Sequence, residues 1–352
     1  MKKMKYCLLA MALFMTAFSS CSDDGRISES SPVLGIVKSE IAFSPEGGVG
    51  TIEVSCDGEF KVEAEQQWCH VAVEGSTVTV TVGEYGGLEN RYSSIFVTSG
   101  DESLRVTAEQ FGVYAKMERG LSYVLDDGAA DKSVPVVSNS KIRVESSDDW
   151  ISGSYDGENV NIHIAGNDSG HVRSGWLYVV YGDQRDSIAF SQGEIKDIYG
   201  SYIASGTDKD GNPASAEFEI SARNDTSVTV SVPEYDWSFH VVFDQETLSL
   251  SIPNRQYVGP VRYGSVSWNV FVCVFDSDAL SFSILETLRG TTSISWDREA
   301  GKMSMSLIDD GSWSSGKVDG LIFVAFRYMI DGVPSGSLRY PLVLGNLRIL
   351  GK

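Results

Sequence analysis

Alternation of apolar and polar positions runs through most of the chain. "TIEVSC", "STVTVTV", "SSIFVTS" and "LRVTAEQ" place apolar residues at every second position and are rich in β-branched side chains. That period predicts strands with one face buried. Turn-forming clusters such as "EGG", "DGE", "SGDE" and "YGDQ" separate them, and no convincing helical periodicity appears. The expected class is all-β.

The pattern repeats. When "FKVEAEQQWCHV" from Phe60 is laid over "IRVESSDDWISG" from Ile142, Trp68 falls on Trp150, Arg91 on Arg173, Gly100 on Gly182 and Gln110 on Gln192. One offset, 82 residues, serves all four pairs without a gap. Such a register predicts two copies of one domain, at 35–112 and 113–194. With six or seven short strands each, the copies are expected to be immunoglobulin-like β-sandwiches. In so small a sandwich one large aromatic supplies much of the core, the role expected of Trp68 and Trp150, with sugar stacking as the alternative. Arg91 and Arg173, each opening a strand, are expected to tie down a carboxylate or a turn carbonyl.

Residues 195–352 do not continue the repeat. Segments from "SAEFEISA" to "LIFVAFRYM" read as nine or ten strands joined by short turns. A meander of that length is expected to curl into an up-and-down barrel or a large sandwich, because closure removes unpaired edges. "YGSYIASGT" followed by such a meander loosely resembles lipocalin-like barrels.

The Trp–Arg–Gln spacing of the repeat resembles the BACON domain of Bacteroidetes surface and periplasmic proteins. The matching residues are Trp68, Arg91 to Val97 and Gln110 to Gly112, then Trp150, Arg173 to Val179 and Gln192 to Gly193. The resemblance implies a glycan context, either as a carbohydrate-binding module or as a spacer carrying a glycan-directed domain.

The amino end adds an address. Lys2, Lys3 and Lys5 precede the uncharged run Cys7 to Phe18, which is too short to span a bilayer as a helix. With Ser19 and Ser20 before Cys21, this resembles a bacterial lipoprotein signal at 1–20, cleaved so that Cys21 carries lipid. Asp23 and Asp24 resemble the export signal of surface lipoproteins, and 21–34 reads as a flexible tether. The expected location is the outer membrane, lipid-anchored and facing outward.

The chain carries a formal charge of −20. So acidic a surface argues against nucleic-acid binding. Cys56 and Cys69 lie in one copy, and both are missing from the other, where Ser138 and Ile151 stand. They are the candidate pair for a disulfide. Cys273, in "NVFVCVFD", is expected to be a buried thiol.

Catalytic signatures are scarce. The four histidines have no metal spacing, and no nucleophile elbow, phosphate loop or dinucleotide fingerprint occurs. No cofactor or metal is expected. "DKDGNPASAEFE" places Asp208, Asp210, Asn212 and Glu219 at calcium-loop positions, but Pro213 stands where such a loop needs glycine. A hairpin turn is the better reading. Ligand-binding candidates are therefore aromatic: Trp313 and Tyr257 in turn-like segments, then Trp268 and Tyr263. Trp296 reads as core. Trp176 and Tyr178 alternate with inward Leu177 and Val179, so they should face solvent or a neighbouring domain. The expected function is non-catalytic, with sandwich spacers presenting a C-terminal domain that binds a polysaccharide or glycoprotein. Binding of another outer-membrane protein is the alternative, and an enzyme is the third reading.

Overall fold

The computed structural model describes residues 34–331 and 333–352. The proposed signal, Cys21 and most of the tether lie outside the described residues. The fold is all-β: two tandem immunoglobulin-like sandwiches precede a C-terminal antiparallel meander that closes into a barrel. Two short 3-10 turns, Ile195–Ile198 and Pro233–Tyr235, are the helical segments among the described residues.

The 82-residue offset is reproduced in three dimensions. Strands Thr77–Val82, Arg91–Ser99 and Glu102–Gln110 recur as Asn159–Ile164, Arg173–Tyr181 and Gln184–Gln192, each with both ends displaced by the same amount. Phe43 pairs in parallel with Gln110, as Leu125 does with Gln192.

Each repeat is closed by the same clasp. Arg91 donates from Nε and Nη2 to Gln110 Oε1 at 3.0 and 2.7 Å. Arg173 makes the same fork to Gln192 Oε1 at 3.1 and 2.7 Å. Both glutamines are fully buried, and their amide nitrogens donate to turn carbonyls, Gly83 O and Gly128 O, at 2.8 Å. The expected arginine partner was a carboxylate or a turn carbonyl. Arg173 does reach the Ala165 carbonyl at 2.6 Å, but its main partner is the glutamine of the same motif.

The described chain divides into two compact units. One comprises 34–41, 49–81 and 93–108; the other comprises 42–48, 82–92 and 109–352. In the first unit the inward set includes Ile52, Val54, Cys69, Val78, Val80, Ile95 and Val97. Cys56 keeps its thiol, donating to Ser99 Oγ at 3.3 Å, so the candidate disulfide to Cys69 is not formed. Cys69 is instead a buried strand opener, the place Ile151 fills in the second copy. A small apolar thiol serves that core position without oxidation.

The second unit holds both the second sandwich and the barrel. Eight strands pair in ring order: Gly200–Thr207, Pro213–Asn224, Ser227–Val232, Trp237–Asp244, Ser249–Pro253, Arg289–Asp297, Lys302–Ile308 and the end of Val333–Gly351. Tyr202 opposite Gly351 closes the ring. The earlier part of Val333–Gly351 leaves the barrel to join a side sheet with Gly320–Ile330, Val266–Asp276 and Gln256–Tyr263.

An eight-stranded barrel is just wide enough for side chains to fill it. Here Phe218, Trp237, Phe239 and Met305 share one core with Val270 and Phe323 of the side sheet. Trp237 stacks on Phe323 at 5.3 Å. Of the two expected forms the closed barrel is the one adopted, and its interior is occupied by the chain's own rings. Asp208 accepts backbone N–H bonds from Asp210 and Asn212 at 2.9 and 2.8 Å, which makes 208–212 the expected hairpin turn.

Two outcomes test this description. Gln192→Leu strands a partly buried guanidinium, so it is expected to cost about 2–4 kcal/mol, read as an earlier urea transition. Reductant is expected to leave the thermal midpoint of the folded chain unchanged, because no Cys56–Cys69 bond constrains it; a clear drop would contradict the thiol assignment.

Candidate functional site

The sandwich and barrel of the second unit are joined by an apolar plug. Val172, just before the strand Arg173–Tyr181, is 2 % exposed and belongs to the barrel's hydrophobic cluster, with Ile198 of the connecting 3-10 turn. Polar contacts surround the plug: Gln245 Nε2 donates to Gly193 O at 2.9 Å, and Lys196 Nζ lies 2.9 Å from Asp127 Oδ2.

Burying Val172 places its neighbours. His171 lands flat on Trp296 of the barrel strand Arg289–Asp297, with centroids 3.6 Å apart and planes 5° from parallel. On the other side, the Arg173 guanidinium lies 4.3 Å from the centre of the Trp150 ring. Gly175 permits this layer, because a β-carbon there would come within 2.9 Å of Trp150 and 2.7 Å of Asp148. From the turn after the barrel strand, Arg298 Nη2 reaches Asp148 Oδ1 at 2.8 Å and the Ser174 carbonyl at 2.6 Å.

These residues line a cleft of about 430 Å³, with Ser169, Ser174 and Ser295 supplying hydroxyls. Both indoles are half-buried. A second groove of about 320 Å³ shares Ser169, His171 and Trp296, and continues past Tyr199 to Lys302. Burial alone would raise the Asp148 pKa. The Arg298 guanidinium and the Ser147 hydroxyl more than reverse this and hold the carboxyl below its ordinary range. For Arg173 burial pulls the other way, lowering its pKa against the fields of Asp127, Asp168 and Asp148.

From the cleft an aromatic ledge runs along the outer face of Arg173–Tyr181. Successive outward positions on a strand stand about 6.5–7 Å apart. They carry Ser174, Trp176 and Tyr178, and Trp176 is 46 % exposed. Opposite them stand Ser191, Ala189 and Ser187, small residues on the neighbouring strand. The Arg185 guanidinium covers Tyr178 at 3.4 Å. Trp176 and Tyr178 thus point outward as their alternation predicts.

The four aromatic candidates of the C-terminal region do not assemble into one site. Trp313, expected on an exposed turn, is buried among Val274, Leu288 and Val318, with Nε1 donating to Ser315 Oγ at 3.0 Å. Trp268 is also buried and meets half-buried Tyr263 edge-on at 5.7 Å. Only Tyr257 of the four is exposed, resting edge-on against Phe271. Sequence reasoning missed Trp296, His171 and Arg298 as site residues, and Trp150 was expected chiefly as core. It does touch the sandwich core, but from its rim. Among the described residues no group of three or more metal-ligating side chains is placed to hold an ion.

Residues 58–111 match the model of a family described as "BACON: Putative binding domain, N-terminal". The likeness is confined to that segment of the first repeat. The match includes Trp68, Arg91, Gly100 and Gln110, the four residues that define the repeat. No curated protein matches the chain. Among solved structures, a titin I9–I11 tandem is 8 % identical, with a TM-score of 0.35 over 88 % of this chain and 97 % of that one. A titin I67–I69 fragment is 9 % identical, at 0.27 over 64 % and 94 %. A Bacteroides ovatus GH5 xyloglucanase in complex with a XXXG heptasaccharide is 20 % identical, at 0.20 over 22 % and 18 %. Scores this low carry no argument for fold or function.

The Asp148–Arg298 pair has a pH signature. Because the folded pKa of Asp148 is depressed, its stabilisation is complete above the ordinary carboxylate range and is lost as pH falls through the folded value. Asp148→Asn is expected to lower stability at neutral pH by roughly 1 kcal/mol or less, since Arg298 faces solvent. The gap from wild type should close in acid; a gap that persists there would contradict the pairing.

Proposed function

We propose that this protein is a non-catalytic, lipid-anchored surface protein that captures glycans through its BACON-type sandwiches and C-terminal barrel. The anchor is Cys21, with cleavage after residue 20 and Asp23 and Asp24 directing the chain outward. The second sandwich, 113–194, is a second BACON copy. One observation carries the glycan reading: Trp176 stands exposed among small residues and leads into a cleft lined by Trp150 and Trp296. Saccharides bind by laying C–H faces on rings while side chains fix their hydroxyls, and a ledge running into a polar cleft offers both. The BACON match supports the same class of ligand. The working surface then lies where the second sandwich meets the barrel, and not on the barrel turns around Trp313.

A second reading, docking of another outer-membrane protein, has its own support. The hairpin formed by Gly320–Ile330 and Val333–Gly351 exposes Tyr328, Met329, Ile330 and Val333 near its tip. Clustered apolar exposure of that kind marks interaction surfaces.

Affinity electrophoresis against a panel of plant and host polysaccharides separates the two. Trp176→Ala and Trp296→Ala are each expected to weaken retention by about tenfold, the equivalent of roughly 1.4 kcal/mol per lost ring contact. Tyr328→Ser should leave retention unchanged. If no polysaccharide retards the folded protein, while Tyr328→Ser abolishes recovery of an outer-membrane partner, the docking reading replaces the first.

A further inference from the structure

Resting on the glycan reading, we infer that the saccharide bound by this ledge and cleft is acidic, bearing carboxylate or sulfate groups. The chain as a whole carries −20, which would ordinarily repel such a polymer. Yet the strip from groove to ledge is lined by cations: Lys302 in the groove, Arg173 and Arg298 in the cleft, and Arg185 over Tyr178. Of the carboxylates along the strip, Asp148 is committed to Arg298, buried Asp197 in the groove accepts from the Glu194 backbone N–H, and Glu145 lies 4.0 Å from Arg185. Exposed Lys302 has no ion-pair partner among the described residues.

Arg298 is built to present its charge. Its contacts with Asp148 and Ser174 both use Nη2, which leaves the N–H groups of Nη1 and Nε for a ligand. The side chain remains 60 % exposed. Each of these charged N–H groups can donate a charge-assisted hydrogen bond to a carboxylate or sulfate oxygen. A site for neutral sugars needs acceptors for the hydroxyl hydrogens. In the cleft Asp148 is already engaged, so serine hydroxyls are the acceptors left, while Arg298 keeps charged donors unspent. Rings for the sugar faces and unspent donors for an anionic substituent together specify an acidic saccharide.

Titration calorimetry on the mature chain with two matched pairs of polymers tests this. Dextran against dextran sulfate isolates the sulfate, and polygalacturonate against its methyl ester isolates the carboxylate. The charged member of at least one pair is expected to bind about tenfold tighter than its neutral partner, and the pair that responds identifies the anion. Arg298→Ala should remove most of that preference. Lys302→Glu, at an exposed position outside the junction contacts, should reduce it without disturbing the fold. Equal binding of charged and neutral polymers in both pairs overturns the acidic inference while leaving glycan capture standing. Failure of every saccharide to bind a chain that unfolds at its usual temperature overturns both.

Discussion

A partly buried guanidinium is costly to leave without hydrogen bonds, and in each sandwich one buried glutamine accepts a forked pair from it. The Arg–Gln fork ties the first residue of one strand to the last of its neighbour, while the glutamine amide holds a turn carbonyl from farther back in the chain. Three segments are thereby locked at one corner. Because side chains alternate strictly along a strand, fixing Arg173 also fixes which later residues face outward. Leu177 and Val179 go to the core; Ser174, Trp176 and Tyr178 go to the surface. The ledge is a consequence of the clasp.

The same corner connects the sandwich to the barrel. Val172 precedes the clasp by one residue and plugs the barrel's core, so His171 and Arg173 are carried to fixed places on either side. One meets Trp296 and the other meets Trp150. Packing, the arginine fork and ring stacking thus converge within three consecutive residues. The pocket that results has packed side chains on both walls.

Much of the fold was legible because its signal is local. Period-two alternation marked the strands, and the 82-residue register marked three strands that recur at that offset. The ring order of the barrel was less legible: Lys302–Ile308 pairs with the end of Val333–Gly351 and skips Gly320–Ile330, a choice made by tertiary packing. The site was hardly legible at all. Trp150 and Trp296 lie far apart in sequence, and neither is flagged by its neighbours. Trp313 misled for a physical reason: its turn-like, polar surroundings suggested exposure, yet the indole folds back over Gly316 to fill the gap beside Val274 and Val318. The paired absence of two cysteines likewise reflected packing, with Ile151 replacing Cys69 in a core position.

The seven tryptophans supply the most direct measurement. Each indole N–H gives its own signal in a nitrogen-15 correlation spectrum, so titrating the labelled chain with oligogalacturonide or sulfated dextran oligomers reports which rings meet the ligand. The expected result is movement at Trp150, Trp176 and Trp296, with the buried Trp237, Trp268 and Trp313 unmoved. Movement confined to Trp68, or a spectrum unaffected by any saccharide, would contradict the account.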